Sequence, residues 1–159
     1  AESSAFTVPE KGWLFGGGLV ADGSGLRDWV LLSAVPNLSA NYAVEVEVSI
    51  DAKGECPRNF GIGVRGSERG FVAAGVEWAC DEAGKIWADQ KVLTIAPAAL
   101  QPGWRLFRIE VSGARVRLLV DGVPIAEADG GATAAGSQIA VWSSGVPLTI
   151  RAVRVIQLP

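Results

Sequence analysis

Histidine is absent from the 159 residues of this chain, and so is methionine. The first absence removes the commonest acid–base side chain and the commonest metal ligand. Serine–histidine and cysteine–histidine nucleophile systems are therefore excluded. Cysteine occurs only twice, and two thiolates without histidine cannot build a usual zinc site. No apolar run approaches the ~20 residues of a membrane span, so no membrane insertion by this segment is expected. Runs of one charge sign are missing too. A net charge of -3 and a pI near 5.0 argue against nucleic acid, which wants a basic stripe. The opening residues AESSAF lack the charged and apolar regions of a secretion signal. With no initiator methionine, the chain is expected to be processed, or to be one module of a larger protein.

What is present is apolar and turn-rich. Hydrophobic residues make up 49% of the chain, with 20 glycines and eight prolines. That suffices for one core, since a chain this long buries roughly 70% of its extended surface. A single domain over residues 1–159 is expected. The dominant pattern is period two. In YAVEVEVSI, Tyr42, Val44, Val46, Val48 and Ile50 share one face, and Glu45, Glu47 and Ser49 the other. NFGIGVRG sets Phe60, Ile62 and Val64 on one face. Residues 104–128 read as three strands with hairpin turns at Ser112-Gly113 and Asp121-Gly122. SQIAVWSS and LTIRAVRVIQL read as two more. No window makes a convincing amphipathic helix. The fold class is all-β, a two-sheet antiparallel sandwich.

Apolar matching across each hairpin proposes a register. Val111 opposite Ala114 would bring Ile109 to Val116, Phe107 to Leu118 and Glu110 to Arg115. In CPRNFGIGVRGSERGFVAAGVEWAC, residues 56–80, a turn around Gly66 to Gly70 pairs Val64 with Val72, Ile62 with Ala74, and Phe60 with Val76. The same register continues through Arg58 and Trp78 to the two cysteines, Cys56 and Cys80. Directly opposed strand residues approach to disulfide distance, so a Cys56–Cys80 bridge is expected, and an oxidised pair implies export from the cytoplasm. The alternative is two reduced thiols acting as small apolar residues.

On the other face this register pairs Asn59 with Glu77, Gly61 with Gly75, Gly63 with Ala73, and Arg65 with Phe71. The middle would be a floor without side chains between polar ends. Glycine within a strand marks the close approach of a ligand or of another backbone. One reading is a shallow groove for a polar ligand, lined by Asn59, Gly61, Gly63, Arg65, Phe71, Gly75 and Glu77. The other is that a segment of the same chain lies across the floor. The guanidinium fork of Arg65 suits a carboxylate or sugar hydroxyls; its alternative is an ion pair with Glu68 or Glu77. Among six tryptophans, Trp87 and Trp142 are the less constrained, and Trp87 is the candidate ring for stacking against a sugar, against the ordinary reading of a buried indole.

The order of motifs resembles the concanavalin A-like lectin/glucanase superfamily in its laminin G-like bacterial branch. The resemblance rests on GWLFGGGLV, NYAVEVEV, FGIGVRG, GFVAAGVEW, GWRLFRIEVSGARVRLLVDG and IAVWSSGVPLTIRAVRVIQL. It covers about Trp13 to Leu158, and its most specific part runs from Trp104 to Gly122. It implies a jelly roll with one concave sheet. It further implies an extracellular or cell-surface module that recognises carbohydrate or protein, as in sensory parts of receptors and receptor-type kinases.

Glycan hydrolases of that superfamily carry a Glu-x-Asp-x-x-Glu strand. Here Glu45-Val46-Glu47-Val48-Ser49-Ile50 has Glu at the Asp position and Ile at the last carboxylate. Cleavage usually needs two carboxylates ~5 to 9 Å apart across the bond, so no catalytic residue is assigned. Glu45 and Glu47 read as a solvated face opposite Arg108, Arg115 or Arg117. Many relatives bind calcium. Asp22, Ser24 and Asp28 form one candidate set, and Asp81 and Glu82 another, each with fewer than the six oxygens calcium wants. No cofactor is assigned, with calcium as the open alternative. The expected function is non-catalytic recognition, of carbohydrate first, with a protein-interaction module and a glycoside hydrolase as alternatives.

Overall fold

A computed structural model of the chain describes residues 6–7, 13–15, 19–22, 28–32, 38–50, 58–67, 70–78, 82–88, 91–99, 101–129, 136–144 and 147–159. These residues form strands and turns, without helix. In chain order the strands are β1 (Phe6–Thr7), β2 (Trp13–Phe15), β3 (Leu19–Asp22), β4 (Asp28–Leu32), β5 (Asn41–Ile50), β6 (Arg58–Ser67) and β7 (Gly70–Trp78). They continue with β8 (Ala83–Ala88), β9 (Lys91–Pro97), β10 (Gly103–Ser112), β11 (Arg115–Val120), β12 (Val123–Asp129), β13 (Gln138–Ser144) and β14 (Pro147–Gln157). Two seven-stranded sheets result. The β6 sheet runs β1-β4-β13-β6-β7-β8-β9, and the β5 sheet runs β12-β11-β10-β5-β14-β3-β2. All pairings are antiparallel, as expected for a two-sheet sandwich.

The alternating residues of both sheets meet in one core. Val44, Val46 and Val48 of β5 face Phe60, Ile62 and Val64 of β6, all fully buried. Phe60 and Phe107 meet edge to face across the sandwich, 4.9 Å between centroids and 73° between planes, a favoured aromatic geometry. A polar strut through the interior also joins the sheets. The Arg65 amide donates to the Tyr42 hydroxyl at 3.1 Å. Burial pushes the Tyr42 phenol above its ordinary value, against the opposing pull of that bond and the Arg65 charge. The open side of the sandwich is closed where the Thr94 hydroxyl of edge strand β9 donates to the Glu127 carbonyl of edge strand β12, 3.0 Å away.

The two hairpins turn out differently. In the β6–β7 hairpin Arg58 meets Trp78, Asn59 Glu77, Phe60 Val76, Gly61 Gly75, Ile62 Ala74, Gly63 Ala73 and Val64 Val72, the expected register. Beyond Val64 it shifts, and Ser67 meets Gly70. Arg65 therefore does not oppose Phe71. It sits in a bulge at φ 53°, a left-handed conformation uncommon for a side chain of its size. In the β10–β11 hairpin Val111 meets Val116, Ile109 Leu118, Phe107 Val120 and Glu110 Arg117. The expected register is thus displaced by two residues. A two-residue displacement leaves every side chain on its own face, so apolar matching cannot detect it. The turn decides: Gly113, at φ 54°, is its first central residue, where a short hairpin favours glycine. The Asp121-Gly122 turn is as expected, with φ 50° and 80° and Val120 opposite Val123.

Candidate functional site

Neighbouring strands of the β6 sheet align their outward residues in rows. Ser144, Asn59, Glu77, Ala83 and Pro97 form one row across β13, β6, β7, β8 and β9. Trp142, Gly61, Gly75, Lys85 and Ile95 form the next. Ala140, Gly63, Ala73, Trp87 and Val92 form the third. The bare strip foreseen at Gly61, Gly63, Ala73 and Gly75 is therefore real, but it is not open backbone. All four residues are buried.

What covers it is indole. The benzo edge of Trp142 occupies the place a Cβ on Gly61 would take. Trp142 reaches there from β13 and is itself only 6% exposed. Trp87 leans over the strip from β8, edge to face with Trp142, centroids 5.3 Å apart and planes at 76°. Gly75 has a separate reason. A Cβ there would run into the Phe60 carbonyl and the Gly61 Cα, so β6 and β7 approach closely at the glycine pair. At the far end the Phe71 ring takes the Cβ place of Gly66. Glycine here makes room for rings.

Around the rings the face is mixed. Trp87 is half-buried. Its neighbours on β9, Val92 and Ile95, are 41% and 61% exposed and extend the apolar strip to the sheet edge. Lys85 and Asn59 are half-buried, and Ser144 is buried, in adjoining rows. The Asn59 Oδ1 is buried and accepts no hydrogen bond among the described residues, a situation that costs roughly 1–3 kcal/mol. The expected set Asn59, Gly61, Gly63, Phe71, Gly75 and Trp87 is thus brought together, with Glu77 in the Asn59 row and its side chain outside the described part. Arg65 is placed apart in the bulge, its backbone tied to Tyr42. Sequence reasoning left Trp142 open beside Trp87 without placing it, and missed Lys85, Val92 and Ile95. Trp142 has the parity of the outer face, but nothing local places β13 beside β6.

Cys56 and Cys80 lie outside the described residues, as do Ser24 and Asp81. So do the side chains of Asp22 and Asp28. Glu82 is exposed, and its carbonyl accepts from the Ala98 amide at 2.6 Å. Among the described residues no group of three metal-binding side chains occurs.

The outer face of the β5 sheet is of another kind. Arg154, Glu45, Arg108, Glu110, Arg117, Glu127, Arg115 and Asp129 form an unbroken chain of ion pairs across five strands. The closest is Arg108 to Glu45 at 2.7 Å, and the longest are 3.9 Å. Glu47 binds Arg151. Both carboxylates of the broken hydrolase motif are engaged with arginines. The hydrogen bond from Arg151 holds Glu47 below the ordinary carboxylate value.

No protein-family model matches the chain, and no curated protein is similar to it in sequence. Solved structures do resemble it. A carbohydrate-binding module, CBM66 of Bacillus subtilis, superposes with a TM-score of 0.80 over 98% of both chains at 14% identity. The fold is a concanavalin A-like β-sandwich. The metal-free carbohydrate recognition domain of Emp46p superposes at 0.72, over 98% of this chain and 89% of the other, at 10% identity. The Crh5 transglycosylase superposes at 0.70, over 100% and 81%, at 12% identity. At such identities the likeness is one of fold, and the same sandwich carries both recognition and catalysis.

Proposed function

We propose that the chain is a non-catalytic carbohydrate-binding module that takes its ligand on the outer face of the β6 sheet. The observation that carries this is the indole pair: Trp87, half-buried, is braced edge to face by Trp142, whose own ring is seated low over Gly61. A braced ring loses little freedom when a sugar stacks on it, and tryptophan combines apolar area with a polar N–H. Val92 and Ile95 lengthen the apolar surface. The Asn59 carboxamide, whose oxygen lacks a donor among the described residues, is the group that a sugar hydroxyl would complete, and Lys85 adds a polar group in the adjoining row. The fold likeness to carbohydrate-binding and carbohydrate-recognition domains supports the same reading.

In this proposal the module belongs to the laminin G-like branch and works outside the cell, as part of a larger bacterial surface protein such as a receptor. Cys56–Cys80 would close the β6–β7 hairpin there. A glycan array followed by calorimetric titration tests the function. Binding that Trp87→Ala weakens about tenfold or more is expected, as for a central aromatic anchor. Silence across the array from folded protein sinks the reading. Exposure of Val92 and Ile95 at the β9 edge favours a protein-interaction module as the second reading. Light scattering that rises in mass with concentration, without sugar, would support it.

A further inference from the structure

The β5 sheet carries one ring that its ion-pair face does not need. Trp104, at the start of β10, is 43% exposed. Its backbone is pinned: the Arg105 guanidinium donates to the carbonyls of Gln101 at 3.1 Å and Trp104 at 3.3 Å, and also meets Asp121 at 3.5 Å. Its ring is held as well. The Arg151 guanidinium lies 4.2 Å from the ring centroid, and it also donates to Glu47. Arg151 reaches this place because β14 bulges between Ile150 and Ala152. Ser49 and Thr149 stand in the same row as Trp104.

We propose that Trp104 is a second carbohydrate-stacking site, on the opposite face of the sandwich from Trp87, for one uncharged pyranose ring. Three features select that ligand. The charge is already matched, Arg151 to Glu47, so no anion is called for. The large exposed apolar surface among the described residues there is one indole, beside half-buried Leu106 and the hydroxyl and charged residues. A protein partner needs about 800 Å² on each side, far more than one indole offers. An aromatic ring held against a cation, beside two hydroxyls, suits a ring with one apolar face and polar edges.

The two faces look away from each other across two sheets stacked about 10 Å apart, so one short saccharide cannot occupy both sites. The module would bridge two glycan chains. This rests on the Trp87 reading only for the bridging; stacking at Trp104 stands alone.

Indole N–H resonances, assigned through Trp87→Phe and Trp104→Phe, separate the sites. The probes are the methyl pyranosides of glucose, galactose, mannose and xylose, and soluble glucan, mannan and xylan. A Trp104 shift with a pyranoside is expected, lost in Trp104→Ala, with about tenfold weaker binding at that site alone. Polysaccharide precipitation by wild type should vanish in either single alanine variant. A Trp104 resonance that ignores every probe while Trp87 responds overturns the second site and leaves the first standing. A Trp104 resonance that moves only with protein concentration overturns it in favour of self-contact. If neither indole responds, both readings fall.

Discussion

The two outward faces of this sandwich solve the same problem in opposite ways. Each must present seven strands to its surroundings. The β5 sheet does it with alternating charges, in which every carboxylate from Glu45 to Asp129 meets an arginine of the same or the next strand. The β6 sheet does it with rings laid over glycine, Trp142 on Gly61 and Phe71 on Gly66. A face that only needs solubility has no use for buried indoles, and like-with-unlike charge ladders cost little to maintain. The difference teaches where specificity lies: where side chains have been removed to seat others, geometry is being controlled.

The comparison can be broken, and the largest expected effect concerns the hairpin under the rings. If Cys56 and Cys80 are joined, intact mass without reductant falls by two hydrogens. Reduction then lowers stability by about 3.5 kcal/mol in the chain-entropy picture, read from urea midpoints. Rapid alkylation of both thiols in folded, unreduced protein would remove the bridge from the account.

Next comes the ring's seat. Gly61→Val should destabilise by about 3 kcal/mol, as overpacking does, because the buried indole of Trp142 already fills the place of the new side chain. In a Trp142→Ala background the same change should cost far less, so a double-mutant cycle will show strong coupling. Additive costs would mean that the ring does not rest on this glycine.

Loss of the strut between the sheets should be smaller. Tyr42→Phe leaves the Arg65 amide without its acceptor, at about 2 kcal/mol. The fold raises the Tyr42 phenol above its unfolded value. Its contribution is therefore complete below the unfolded phenol value and fades as pH rises through the folded one. Wild type should lose stability in that alkaline window, and Tyr42→Phe should lose less.

The charged face should scarcely notice a single loss. Glu45→Gln takes one of two carboxylate partners from Arg108, which keeps Glu110, and removes the Glu45 partner of Arg154; half-buried surface pairs of this kind are worth about 1 kcal/mol or less. A larger change in denaturant midpoint would show that the ladder acts as a unit. Smallest of all is the acid response of Glu47. Its folded value is depressed by Arg151, so the clamp on Trp104 is present above the ordinary carboxylate range and released only as pH falls below it. The Trp104 indole resonance should move in that window, and in Glu47→Gln it should already be displaced at neutral pH.

Faces were legible in the sequence, and neighbours were not. Alternation assigned Val44, Phe60, Ile62, Phe107 and Ile109 to the core because a strand has only two sides. The β6–β7 register was legible as well, since five apolar and glycine pairs, from Phe60–Val76 to Val64–Val72, agree on one alignment. The β10–β11 register was not, because a shift of two conserves every face and only the conformation of Gly113 separates the choices. The bulge at Arg65 defeats parity itself. Most consequential was the position of β13. Its pairing with β6 joins segments far apart in the chain, and no local pattern reports that Trp142 stands opposite Gly61. The glycines were read as space for something, and the occupant was a ring from a distant strand.

The ion-pair chain has a consequence beyond its own face. Counting Arg151 with Glu47, it sets five arginines against five carboxylates, so it casts almost no long-range field. The acidic excess of -3 must originate elsewhere on the surface. Ionic strength should thus leave encounters on that side nearly untouched while screening whatever approaches from the others.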